Sequence, residues 1–222
     1  MFWRTLLAIS MMVATLSVAR GAGEAAGCPA DSEAVASAAA AIPDGMFTRP
    51  EAGVPAAKRT TCGLYVTAQD AHDMVKEAPD RVLFIDVRTP AELQFIGMPT
   101  LVDANVPVLL ETSPPQWDEG NSTFKLAPNA KFVEGVDARL ARKGLTRGDR
   151  VILICQGGVR AARAANLLTQ AGYTRVYTTI DGFEGDPAPD GPRKGERIVN
   201  GWRNAGLPWT ARLDRSKMYG LQ

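Results

Sequence analysis

Apolar and polar positions change their rhythm along the chain, and each change marks an element. Residues 5–19 form an uncharged apolar run, TLLAISMMVATLSVA. An Ala-rich stretch, 31–41, predicts a short helix capped by Asp31 or Ser32. Residues 42–61 are rich in Pro, Gly and small residues and read as loop. From Gly63 the pattern becomes regular. Thr67 caps a helix, AQDAHDMVKEA, that ends at Pro79 and Asp80. Val82 to Val87 is an apolar run closing on an acid, Asp86, as expected of a strand buried on both faces. Thr89 to Phe95 starts a short helix with Pro90 first and Glu92 in its first turn. Ala104 to Pro107 reads as a short strand. Residues 111–129 hold no period and read as a long surface loop. Phe132, Val136 and Leu140 are spaced for a helix over 131–143, which Gly144 ends. Arg150 to Ile154 is a second buried strand. The segment CQGGVR follows at 155–160, then a helix, AARAANLLTQAG, stopped by Gly172. Val176 to Ile180 is a third strand, closed by Asp181-Gly182-Phe183. Residues 186–197 read as a solvated loop, and Trp202 and Trp209 as cover for the core or the sheet edge. Strands alternating with helices predict an α/β domain with a mostly parallel sheet, whose ligands bind at the carboxyl ends of the strands. Cys155 stands at such an end.

The first apolar run follows Arg4 and leads into small residues, Ala19 to Ala22, which is the three-part pattern of an export signal. At 15 residues it is shorter than the roughly 20 a membrane anchor needs, the competing reading. The expected organisation is a signal peptide at 1–22, a partly irregular extension at 23–62, a folded domain at 63–212 and a tail at 213–222. The mature protein is then expected in the periplasm or otherwise exported, and not in a membrane. Export changes how three cysteines read, because an oxidising compartment permits Cys28 and Cys62 to pair and leaves Cys155 free. Ala25-Ala26-Gly27-Cys28 also resembles a permissive lipidation site, and two unpaired thiols without a role are a further alternative.

Composition narrows the chemistry. Among 222 residues, 25 basic and 24 acidic side chains leave a net charge of +1, against a nucleic-acid partner bound through a basic field. A single histidine, His72, within a polar helix, argues against a metal site and against histidine-based catalysis. A cysteine that ends a buried strand and opens a helix faces unpaired amides and the positive end of the helix dipole. Both favour a thiolate and make it nucleophilic. Gly157 and Gly158 let the loop curl its N–H groups inward, and Arg160 adds a cation that can hold the loop or an anionic substrate. A buried structural cysteine is the plain alternative.

These pieces, in this order, resemble the single-domain rhodanese family of sulfurtransferases. VLFIDVRTPAEL resembles its strand with the Asp-Val-Arg motif at Asp86, Val87 and Arg88. CQGGVR resembles its six-residue active-site loop, VYTTIDGFEGD the strand and turn after the active-site helix, and WRNAGLPW its C-terminal ending. The resemblance spans residues 64–209, with an insertion at 111–129. It implies a three-layer α/β fold, a mostly parallel sheet flanked by helices. It implies that Cys155 carries sulfane sulfur as a persulfide in a ring of amides from Gln156 through Gly157, Gly158 and Val159 to Arg160. The sulfur would come from a small sulfur donor such as thiosulfate and pass to a thiophilic acceptor, a small molecule or a protein thiol, with no cofactor. Arg160 would orient the loop, and Asp86 and Arg88 would be mainly structural. The chain departs from the family at Gly97-Met98-Pro99-Thr100-Leu101, where a histidine is usual, and at Gln156, often Arg in thiosulfate users. The open alternatives are a non-catalytic binding or sulfur-relay module, a phosphatase or arsenate reductase, and, last, a thiol oxidoreductase, which would want a Cys-x-x-Cys pair.

Overall fold

The structure, a computed structural model, describes Cys28 and residues 53–221. The segments expected to form an export signal and an Ala-rich helix, and the three residues before Cys28 in the lipidation-like stretch, lie outside the described residues. In chain order the elements are a 3₁₀ turn Ala56–Lys58, β1 Tyr65–Val66, α1 Ala68–Glu77, β2 Val82–Asp86, α2 Pro90–Ile96, β3 Met98–Pro99, β4 Ala104–Asn105, β5 Leu109–Glu111, β6 Trp117–Asp118, β7 Thr123–Phe124, β8 Leu126–Pro128, α3 Phe132–Lys143, β9 Arg150–Ile154, α4 Val159–Gln170, β10 Arg175–Thr179 and β11 Trp209–Thr210, with a second 3₁₀ turn at Arg215–Lys217.

Five strands form a sheet in the order β1-β10-β9-β2-β4, every pair parallel. The apolar runs of β2 and β9 are continuous because both faces are covered. Phe84, Ile152 and Ile154 pack with Met74 of α1, Leu93 of α2 and Trp202. Leu83, Ile85, Val151 and Leu153 pack on the other face with Phe132 and Leu140 of α3 and Ala161 and Leu168 of α4. The fold is thus the expected three-layer α/β arrangement. The helices start where their caps lie: Thr67 and Thr89 each form a reciprocal capping box, with Asp70 and Glu92. Gly144 ends α3 in the left-handed region at φ 71°, as its position after Lys143 predicts.

Three expectations change. Residues 111–129 are not a loop without structure: β5 pairs with β8 and β6 with β7, both antiparallel, so the insertion is a nested β-ribbon. Its alternation was hidden because the ribbon buries almost nothing; Trp117 and Phe124 stay exposed and meet edge to face at 5.4 Å. The Cys28–Cys62 disulfide forms as expected, but the extension is held by more than that bridge: Val54 and Lys58 are buried, and Thr61 bonds through its N–H to Asn166 of α4. The tail is not separate either: Met218 is buried and Arg139 of α3 donates to the carbonyls of Ser216, Lys217 and Met218. His72 is half-buried on α1 and lies edge-on to Trp202 at 5.9 Å. Among the described residues no helix is long and apolar enough to cross a membrane, and no group of His, Cys, Asp and Glu is placed to hold a metal ion.

Candidate active site

Cys155 follows β9 and is 1% exposed. Its sulfur accepts two backbone N–H groups, from Gly158 at 3.2 Å and from Ala161 at 3.3 Å. α4 begins at Val159, two residues before the helix expected from the sequence, so Val159 and Arg160 belong to its first turn. The sulfur therefore rests on the helix N-terminus, where orphan amides and the dipole stabilise negative charge. The cradle differs in detail from a ring running from Gln156 to Arg160. The donors to the sulfur are Gly158 and Ala161, and Ala161 lay outside the expected set.

The turn after β10 sets this geometry from below. Phe183 donates its N–H to Cys155 O at 2.8 Å and Glu184 to Gln156 O at 2.9 Å. With the loop carbonyls taken by that turn, the following amides are free to face the sulfur. Gly182, at φ 66°, is required for this approach: a Cβ there would lie 2.6 Å from Gln156 O and 2.7 Å from Cys155 O. Gly158 has φ 97°, and a Cβ would lie 2.5 Å from Ile180 O.

Arg160, in the first turn of α4, is already paired. Its guanidinium makes a two-pronged ion pair with Glu92, with Nη1 donating to Oε2 at 2.6 Å. Glu92 is also the acid of the α2 capping box, accepting from Thr89 N at 3.0 Å. Burial alone would push the Glu92 carboxyl up, but the hydrogen bonds and charge of Arg160, with Thr89 and Arg88, hold it below its ordinary value. Asp86 and Arg88 pair with each other. Both are fully buried; Arg88 Nη2 donates to Asp86 Oδ2 at 2.6 Å and to Gly97 O at 2.8 Å, with its guanidinium 4.3 Å above the Phe183 ring. Burial works against the Arg88 charge, but the charge and hydrogen bonds of Asp86, with the charges of Glu92 and Glu184, more than offset it and raise this cation above its ordinary value. Arg88 Nη1 and Glu184 Oε1 are buried with no hydrogen-bond partner among the described residues.

Two cations absent from the expected set flank the glycines of the loop. Lys58, from the extension, is 8% exposed, donates to Ile180 O at 2.8 Å and to Asp186 Oδ1 at 2.7 Å, and lies with its Cδ 3.0 Å from where a Cβ on Gly158 would be. Arg197, from the segment read as a solvated loop, donates to Gly185 O, and its Nη1 lies 2.8 Å from where a Cβ on Gly157 would be. No local pattern marks either residue, because both arrive through long-range contacts. Glu92 did carry a signal, since Thr89-x-x-Glu92 is a capping box.

Residues 67–186 match the family described as Rhodanese-like domain. The chain belongs to the rhodanese-like family. The rhodanese-like match begins at Thr67, just after β1, ends at Asp186, and leaves out Lys58 and Arg197. Uncharacterized proteins of Rickettsia conorii and Rickettsia montanensis are each 28% identical over 144 residues, 65% of this chain and 94% of theirs. A tRNA uridine(34) hydroxylase of Rickettsia akari is 36% identical over 58 residues, 25% of this chain and 24% of its own. Among solved structures, Rv0390 from M. tuberculosis is 30% identical, covering 67% of this chain and 97% of that one, with a TM-score of 0.49. The polysulfide-sulfur transferase homodimer from Wolinella succinogenes is 24% identical, covering 71% and 83%, with a TM-score of 0.42.

Proposed function

We propose that this rhodanese-like protein is a sulfurtransferase that carries sulfane sulfur on Cys155. The observation that carries the reading is the free sulfur of Cys155 held by two backbone N–H groups at a strand-to-helix turn. The Cys155 thiolate attacks the outer sulfur of a donor such as thiosulfate, the S–S bond breaks, and sulfite leaves with the electron pair. The persulfide sulfur inherits the negative charge and sits where the amides and the α4 dipole favour it. A thiophilic acceptor, a small molecule or a protein thiol, then takes the outer sulfur and frees the thiolate. The chain's own groups supply this chemistry without a cofactor.

A phosphatase reading fits less well. Only four residues separate Cys155 from Arg160, and Arg160 is engaged by Glu92 rather than free to hold a phosphoryl group. The location we propose is exported, periplasmic in a bacterium. It is supported by the apolar run at 5–19 and by the Cys28–Cys62 disulfide, a bond that persists in oxidising compartments.

Intact-mass spectrometry tests the function. Treatment with thiosulfate is expected to add one sulfur atom, removable by cyanide as thiocyanate, and Cys155→Ser is expected to lose the adduct while remaining folded. An adduct on the variant, or none on the wild type with any sulfane donor, would sink the reading and leave a binding module instead.

A further inference from the structure

The outer face of α4 and the 3₁₀ turn Ala56–Lys58 enclose a groove of about 360 Å³. Ala57 and Arg59 form one wall, and Val159, Arg163, Asn166 and Leu167 form the other. Val159, Arg163 and Leu167 recur every four residues, so they make one stripe along the helix. The groove mixes two chemistries. Val159 and Leu167 are 51% and 38% exposed, large apolar side chains left facing water. Arg59 and Arg163 are exposed, and neither pairs with a carboxylate among the described residues. Arg59 Nε donates to the carbonyl of Val54 at 3.0 Å, and no acid lines the groove. One end of the groove reaches the sulfur cradle. Val159 follows Gly158, whose N–H holds the Cys155 sulfur at 3.2 Å. Ala57 precedes Lys58, whose Cδ lies 3.0 Å from where a Cβ on Gly158 would be. The wall of the strap is fixed by Thr61, which donates its N–H to Asn166 at 2.8 Å, and by the Cys28–Cys62 bridge.

We propose that this groove docks the protein that accepts the sulfur, through an acidic segment with an apolar face that adjoins the acceptor's thiol. The proposal rests on Cys155 being the sulfur carrier. Cys155 is 1% exposed, so a protein acceptor must be held by contacts outside the loop while its thiol enters. The groove supplies them already formed, which lowers the ordering cost of docking. Charge decides the occupant. Two guanidiniums without a counter-charge call for carboxylates, which their planar forks can meet with two bonds each. The apolar side chains between them call for a segment with one apolar face. A nucleic acid would want a broad basic field, which a chain of net charge +1 does not offer. In the transfer the acceptor's thiol sulfur bonds to the outer sulfur of the Cys155 persulfide. The bond between that sulfur and Sγ breaks, its electron pair stays on Sγ, and the thiol proton ends on the new persulfide. One persulfide replaces another, with no net oxidation.

The test separates docking from sulfur carriage. The probe is an amphipathic peptide of about 12 residues, long enough to lie along α4, with Asp and Glu beside a Leu face and one cysteine. Its control carries Asn and Gln in place of the acids. Binding is read by fluorescence anisotropy on Cys155→Ser protein, with a serine version of each peptide. The acidic peptide is expected to bind about tenfold tighter than its control, and to lose that margin in Arg59→Gln/Arg163→Gln and in high salt but not in Arg59→Lys/Arg163→Lys. Transfer is read by intact mass on Cys155 protein already loaded with sulfur. Arg59→Gln/Arg163→Gln is expected to slow transfer to the acidic peptide about tenfold and to leave transfer to 2-mercaptoethanol within about twofold. Equal slowing with both acceptors would overturn the proposal, because it marks a disturbed loop, and so would an acidic peptide that binds no better than its control. Peptide binding that appears only in Asp31→Asn/Glu33→Gln would give the groove to this chain's own acidic stretch. An RNA oligomer or an anionic lipid vesicle bound in preference through the same arginines would give it to that partner, and either result overturns the proposal. A wild type that takes no sulfur but binds the acidic peptide through both arginines would remove the sulfur-carrier reading and leave the docking groove standing.

Discussion

Glu92 links a helix cap to the active-site arginine, and its ionisation should be visible in stability. Its carboxyl is held below the ordinary 4.5 in the folded state, so the folded state binds protons less readily than the unfolded one. The stabilisation is fully present above about pH 4.5 and is lost as pH falls through the lowered folded value. Glu92→Gln should cost about 2 kcal/mol at neutral pH, the scale of a charged hydrogen bond left half-made, and should flatten the acid limb of a urea-unfolding series. An acid limb unchanged in the variant would show that Glu92 does not supply it. At Gly158 a side chain meets both a left-handed φ of 97° and Ile180 O. Gly158→Ala should destabilise by about 2 kcal/mol or more and slow sulfur loading at Cys155, read by thermal unfolding and by intact mass.

At the scale of elements, the nested ribbon β5–β8 and the buried pair behind β2 make opposite demands. The outer residues of the ribbon, 113–124, are exposed nearly throughout. Replacing them with a two-residue turn should shift Tm by no more than a few degrees and leave loading of Cys155 intact; a lost adduct would place the ribbon in the site. Asp86→Asn is the reverse case. It leaves the Arg88 guanidinium buried without its counter-charge, and breaking such a pair costs about 3–5 kcal/mol. Denaturant unfolding should read that loss, and an effect under about 1 kcal/mol would mean that the pair is not insulated from water. The starts of α1 and α2 were legible in the sequence because capping boxes are local; α4, which has no side-chain cap, began two residues earlier than the pattern showed. The ribbon was not, because exposed strands bury no face and so leave no alternation to read.

Across the whole molecule, the extension and the segment after β10 close the site that the central sheet opens. The Cys28–Cys62 bridge ties the strap carrying Lys58 to α4 through Thr61 and Asn166. By the chain-entropy argument a loop of this size contributes up to about 4 kcal/mol. Cys28→Ser should lower Tm and expose the segment before Thr67 to protease, and it should slow sulfur loading as Lys58 loosens over Gly158. Full loading with a freed strap would show that Lys58 is not needed to shape the loop. The amino-acid sequence by itself determined the alternating strands and helices of an α/β domain, the buried strands β2 and β9, the caps at Thr67 and Thr89, and Cys155 at a strand end, because each is written in neighbouring residues within one or two turns. Only the tertiary structure decided that Arg160 is claimed by Glu92, that Asp86 and Arg88 pair with each other, that Ala161 helps hold the sulfur, and that Lys58 and Arg197 flank the loop. The pairings of Arg160 with Glu92 and of Lys58 with Asp186 join residues 68 and 128 positions apart, and the others depend on which neighbour burial leaves free; no local pattern of residues encodes which partner the folded chain will bring.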